Sequence, residues 1–305
     1  MNPAWSVIVF TTVAGAAQGL VVALALARLT DISMAQAFQS RSLLLALAML
    51  LFGLAASMLH LGRPERAWRA VLMWRTSWLS REVIVLPAFI AAVAVTGWFV
   101  ERVAGEFLGL LIVLALLLWW CTAMIYACLR FIQEWAHPLT HAGFIFIGMS
   151  SGLVLTCALA AWSGEAALLE AAAPWALRFT VAALVVRLLA LRRNAQLKHK
   201  STLQSATGIK ARVLKQTAMG MSAGAFNTRE FFHRAGSAAL GQIRLTFIAL
   251  GFVLPVALML WALNADSVAL WLAACAVQWP GLAAERWFFF AQARHPQNLY
   301  YQVVS

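Results

Sequence analysis

The stretch Ser6–Ala27, SVIVFTTVAGAAQGLVVALALA, carries no charged residue and no proline. As a helix its 22 residues would extend about 33 Å, against a hydrocarbon layer of about 30 Å. It is too long and too rich in Ala, Val and Gly for a signal peptide, and no charged segment precedes it. It therefore reads as a retained spanning helix. Seven further runs follow: Leu43–His60, Val83–Val100, Phe107–Leu129, Ala142–Trp162, Ala172–Leu191, Ile243–Leu263 and Val268–Ala291. Lipid offers no partner to backbone polar groups, so isolated apolar runs of this length cross only as helices. The pattern predicts an all-α, polytopic membrane protein, a bundle of eight transmembrane helices. Composition agrees: 63% of residues are hydrophobic and 11% charged, where soluble domains carry about 45–50% and about 25%. Residues 1–305 read as a single integral membrane domain with one long polar, basic connection at 192–242.

The connections carry the charge. Of the 23 Lys and Arg, sixteen fall on the face that holds both termini and three (Arg28, Arg41, Arg102) on the opposite face. The remaining four, Arg178, Arg187, Arg244 and Arg286, lie within helices or at their ends. Basic residues accumulate in cytoplasmic loops, which predicts both termini in the cytoplasm of a bacterial inner membrane. The net charge of +12 then reflects basic loops facing anionic lipid or an acidic partner subunit rather than nucleic acid. Tryptophans Trp68, Trp74, Trp78, Trp98, Trp162 and Trp271 are expected near the headgroups, where an amphipathic indole sits best.

The four cysteines, Cys121, Cys128, Cys157 and Cys275, fall in apolar runs without a CxxC pair, so no iron–sulfur or zinc site is expected. A bundle haem commonly needs two facing histidines within spans. All six histidines here (His60, His137, His141, His199, His233, His295) fall at helix ends or in loops, so no haem is expected either. His137 and His141 are four apart with Pro138 between them and read as interfacial residues.

Charge at membrane depth marks functional candidates. The densest cluster is His60-Leu61-Gly62-Arg63-Pro64-Glu65-Arg66-Ala67-Trp68, followed by Ser77-Trp78-Leu79-Ser80-Arg81-Glu82. His60 ends one run and Glu82 opens the next, and Gly62 and Pro64 predict a tight exit that draws these ends together. A histidine and a carboxylate at this depth suit quinone chemistry, which moves two electrons and two protons and needs a hydrogen-bond donor with a proton relay. Arg66 would hold Glu82 ionised or stabilise a reduced, anionic quinone. Spacing leaves open an ordinary basic loop after a helix-ending histidine. Glu134 is placed for a proton path from water. Glu285 would reach the site from the last helix or make a plain interhelical contact. Adjacent Glu285 and Arg286 point to different faces and need not pair, Arg187 snorkels to the interface, and Arg178, deeper, should face a partner or polar cavity. A transporter is the competing class, but Pro255 and Pro280 fall in consecutive helices rather than at matching positions of two halves.

The pattern H-L-G-x-P-x-R-A-W followed by S-x-L-S-x-E resembles the signature of the membrane anchor subunits of DMSO reductase-type molybdoenzymes, over most of the chain. The resemblance implies a quinone site at His60 and Glu82, with Arg66 at a further family position; Arg63, Trp68, Ser80, Glu134 and Glu285 are the candidates to surround it. It also implies two partners, an iron–sulfur electron-transfer subunit and a molybdopterin catalytic subunit. This chain would then carry no catalytic residue of its own and would exchange electrons with ubiquinone or menaquinone. Asn2–Ile8, Asn227–His233, Ala284–Phe290 and Asn298–Tyr301 are similar to segments of anchors of the sulfite-oxidising branch. That branch keeps its catalytic subunits in the cytoplasm, in agreement with the charge count. The alternative within the family is a quinol-oxidising anchor of a DMSO or S-oxide reductase.

Overall fold

The computed structural model of the chain describes all residues except His60, His199, 218–230, Arg234, 301–305 and the side chain of Tyr300. Among the described residues eight helices are long and apolar enough to span: α1 Trp5–Leu29, α2 Gln36–Met58, α3 Trp78–Trp98, α4 Gly105–Ala127, α5 Pro138–Ser163, α6 Ala166–Ala195, α7 Ser237–Ala265 and α8 Val268–Ala291. The last coincides with its expected bounds; most others overrun theirs, because polar residues at the ends are held by the fold. α2 begins at Gln36 rather than Leu43: Gln39 and Ser42 are buried, and Ser40 Oγ donates to the carbonyl of Gly97 at 2.6 Å. α5 begins at Pro138, a residue with no N–H to satisfy in a first turn, and the His137 ring accepts the Leu139 N–H at 3.2 Å. α7 contains a π-turn over Ala249–Val253.

The helices pack as two cycles of four. In one, α1 to α4 are neighbours in chain order and α4 closes back on α1; in the other, α5 to α8 close with α8 on α5. α1 and α5 are the most buried helices and form the seam between the cycles. The seam is a backbone-to-backbone contact. Gly15 and Gly19 on α1 face Gly148 and Gly152 on α5; a Cβ at Gly19 would overlap the carbonyl oxygen of Gly148, and one at Gly152 would overlap the backbone of Gly19. Such small-xxx-small pairs let helices approach where lipid supplies no hydrophobic drive. A second close approach joins Gly251, in the π-turn, to Gly281 of α8. The carbonyl of Gly251 accepts from Gln278 Nε2 at 3.4 Å, and the same nitrogen donates to Ser150 Oγ at 3.0 Å.

Trp68, Trp74, Trp98 and Trp162 are exposed, whereas Trp271, in the first turn of α8, packs inward against neighbouring helices. Arg178 is exposed, its guanidinium 4.8 Å over the Trp175 ring one turn earlier, and lines a surface hollow with Ile32 and Ser33.

Candidate functional site

α3 starts at Trp78, where Ser77 Oγ accepts the Ser80 N–H at 3.4 Å. Its first turn sends neighbouring charges in opposite directions. Arg81 turns outward, donating to the carbonyls of Trp74 (3.0 Å) and Arg75 (2.9 Å) and lying 4.0 Å over the Trp78 ring. Glu82 turns inward with Ser80 and is only 6% exposed. Its carboxylate accepts a short hydrogen bond from the Thr122 hydroxyl of α4. Among the described residues no cation lies within ion-pair distance of Glu82.

The loop before it stays outside. Pro64–Met73 forms a 3-10 run with no buried residue, in place of the expected tight exit. Arg63 and Trp68 are exposed, and Arg66 sits 3.9 Å from Glu65 rather than against Glu82. The run is amphipathic and leaves Leu72, Met73 and Trp74 exposed beside its arginines. His60 lies outside the described residues.

A second polar centre, between α5, α6 and α8, is one that residue spacing does not reveal. Arg187 does not snorkel; it is 4% exposed and its Nε lies 2.8 Å from Glu285 Oε1. Glu285 also pairs with adjacent Arg286, at 3.5 Å. The arginine side chains are long enough to curl back over the helix, so residues on different helical faces still meet. Aromatic rings complete the burial: Arg286 lies 4.1 Å over Phe144, and Arg187 5.4 Å over Phe247.

At the rim, Glu134 is buried in the α4–α5 connection, and Arg193 donates to the neighbouring Gln133 carbonyl at 2.6 Å. Burial and, secondly, Arg193 hold His137 below the usual histidine range. Met1 N–H groups donate to Ala291 O and Ala293 O, and burial lowers this amine to about 6 against the opposing pull of Glu134. Two of the segments singled out in the sequence, Asn227–His233 and Asn298–Tyr301, meet here: Asn298 Nδ2 donates to Phe231 O at 2.9 Å, and Phe231 stacks on His295 at 3.9 Å. Residues 227–230 and Tyr301 of those segments lie outside the described residues. The four cysteines are unpaired thiols, and among the described residues no three His, Cys, Asp or Glu converge to hold a metal.

Signals for the missed features are present. Gly15-x-x-x-Gly19 and Gly148-x-x-x-Gly152 are packing motifs within spans. The Arg187–Glu285 pair joins residues 98 positions apart in the chain, which no local spacing records.

Residues 1–290 match the family described as DMSO reductase anchor subunit (DmsC). The chain is 46% identical, over 326 aligned positions covering 100% of both proteins, to a subunit of the sulfite dehydrogenase of Allochromatium vinosum.

Proposed function

The chain belongs to the DMSO reductase anchor subunit family, and from that premise we propose that it is the quinone-reactive anchor of a sulfite-oxidising molybdoenzyme complex. Electrons leave sulfite at molybdenum in a partner subunit, pass through an iron–sulfur partner and reach ubiquinone or menaquinone at this chain. Quinone, when bound, accepts two electrons and two protons. The chain's own residues orient it and supply the protons: His60 is assigned the hydrogen bond to a quinone oxygen, and Glu82 the proton relay. Ser80 lies beside Glu82, while Arg63, Arg66 and Trp68 supply positive field and apolar surface at the entrance. Glu134 and Glu285 stand behind.

The observation that carries this assignment is the inward-facing Glu82, near the membrane end of α3, with a hydroxyl for its hydrogen-bond partner and, among the described residues, no cation within ion-pair distance. A carboxyl so placed can take and release protons, as general acid–base work requires. Two further points support the sulfite branch. The similar protein from Allochromatium vinosum is a sulfite dehydrogenase subunit. The basic loops favour the cytoplasmic side of a bacterial inner membrane for both termini and for the docked partners.

The test uses membranes containing the whole complex. Glu82→Gln and a His60→Gln variant are expected to lower sulfite-dependent quinone reduction by at least about 10²-fold. The subunits should still co-purify and still reduce a soluble dye. Quinone reduction that survives both changes overturns the assignment. Reporter fusions at Arg75 and Lys200 check the orientation; a periplasmic-active reporter at either position overturns it.

A further inference from the structure

Buried side-chain atoms without a hydrogen-bond partner are few in a well-packed protein, and each calls for an explanation. In this chain most of them gather at two small cavities, while His141 Nε2 and Asn298 Oδ1 lie apart from these. Glu134 Oε2, Arg187 Nη2, Glu285 Oε2 and Arg286 Nε line one small cavity; Thr12 Oγ1, Gln18 Oε1 and Trp119 Nε1 line a second. The 2.8 Å contact between Arg187 Nε and Glu285 is an ion pair out of hydrogen-bond alignment, so this nitrogen too lacks an aligned acceptor. Each cavity has a volume of ≈ 20 Å³. That is sufficient for a water molecule, which needs about 10–15 Å³ and two to four polar partners. Both cavities supply such partners.

The cavities are also in series. A surface cavity of ≈ 920 Å³ on the termini face is bordered by Arg130, Arg244 and Arg294. Glu134, Asn194 and Gln292 line both this basin and the first small cavity. Arg286 lines both small cavities. Thr122 lines the second, and its hydroxyl donates to Glu82. Residues shared by successive cavities thus connect the basic face to the hydrogen-bond partner of Glu82.

We infer that these cavities hold ordered water and form the route by which protons reach Glu82 from the basic face, entering at Glu134 and passing Arg286. The inference rests on the proposed quinone site for its purpose but not for its geometry. The balance is that of quinone reduction: two electrons arrive through the iron–sulfur partner, two protons arrive from water on the basic face through this route, and quinol leaves with both. Arg187 and Arg286 outnumber Glu285, so a proton does not rest at the junction. It crosses when negative charge at the quinone end draws it, as cationic side chains in other water-filled passages hold protons back. Arg286 is therefore a positioning residue, not a catalytic one.

Two measurements on the intact complex test this. Hydroxyl-radical footprinting with isotopically labelled water reads water next to buried rings. Trp119 lines the second cavity, whereas Trp135, equally buried, donates its Nε1 to Phe289 O and lines neither of the two small cavities. Labelling of Trp119 at least fivefold above Trp135 is expected; equal labelling shows the cavity to be dry and overturns the inference, whatever the fate of the quinone site. Second, Glu134→Gln is expected to slow sulfite-dependent quinone reduction about tenfold, with a larger solvent deuterium effect and recovery on adding a small permeant weak acid. Dye reduction should be unchanged. If Glu134→Gln turns over normally while Glu82→Gln does not, the protons enter elsewhere and the route is wrong. If Glu82→Gln turns over normally while Trp119 is labelled, the quinone assignment fails and the water-filled cavities stand.

Discussion

Glu82 and Glu285 are the same residue type, both buried and both near the termini face of the bundle, yet their surroundings are opposite. Glu82 has a threonine hydroxyl and no cation within ion-pair distance among the described residues. Glu285 sits between two guanidiniums at 2.8 and 3.5 Å. In a medium of low dielectric the two arginines supply the counter-charge for the buried Glu285 carboxylate, and Glu285 in turn makes their burial tolerable. Glu82 has no such lock. The contrast separates a carboxylate that is part of the frame from one that is free to exchange a proton, although composition and depth do not distinguish them.

The same substitution at the two positions gives the sharpest break. Glu285→Gln leaves two buried guanidiniums with no counter-charge, and removing one partner of such a pair costs about 3–5 kcal/mol. We expect a large loss of yield and a strongly lowered unfolding midpoint in detergent. Glu82→Gln keeps an acceptor for Thr122 and removes no ion pair, so its midpoint should move by less than about 1 kcal/mol. A Glu82→Gln chain as unstable as Glu285→Gln would abolish the distinction.

This difference explains how much the chain discloses before its structure. The apolar runs yield eight helices and the right boundaries for α8, because hydropathy reports lipid contact directly. They misplace the start of α2, because Gln39 and Ser42 are polar but buried against neighbouring helices. Trp271 is expected near the headgroups by its type, and only the packing shows that its ring turns inward from the first turn of α8. Glu82 is legible as a charge at the mouth of a span; its Thr122 partner is not, since the hydroxyl comes from α4, 40 residues on. The Arg187–Glu285–Arg286 group is visible only as isolated charges within helices. The glycine seam between α1 and α5 is written in both spans, but a motif on one helix does not name its partner.

A smaller effect probes the lock-free site. Thr122→Val keeps shape but removes the donor to Glu82. Hydrogen bonds to charged groups contribute about 1.5–3 kcal/mol, so quinone-linked turnover should fall about tenfold or more. A Thr122→Ser variant should restore it. Equal losses in both variants would mean that Thr122 acts through packing, and that Glu82 does not depend on this hydroxyl.

The smallest expected effect lies at the rim of the locked group. His137, which lines the same small cavity as Glu285, is a titratable group at this rim. Its Nδ1 accepts the Leu139 N–H at the start of α5, and burial and Arg193 hold the ring below the usual histidine range. A base lowered in the folded state binds protons less readily than when unfolded. Stability is therefore full above the ordinary histidine value of about 6.5 and declines as pH falls below it. Protonation would turn the cap acceptor into a donor facing an N–H, so the loss should be comparable to a missing cap, about 1 kcal/mol. His137→Asn retains a cap acceptor and does not titrate. Its unfolding midpoint should fall less steeply between about pH 7.5 and 5.5 than that of the unmodified chain, the lowered Met1 amine contributing equally to both. If both slope alike, His137 is not the pH-sensitive group, and the buried Met1 amine becomes the first place to look.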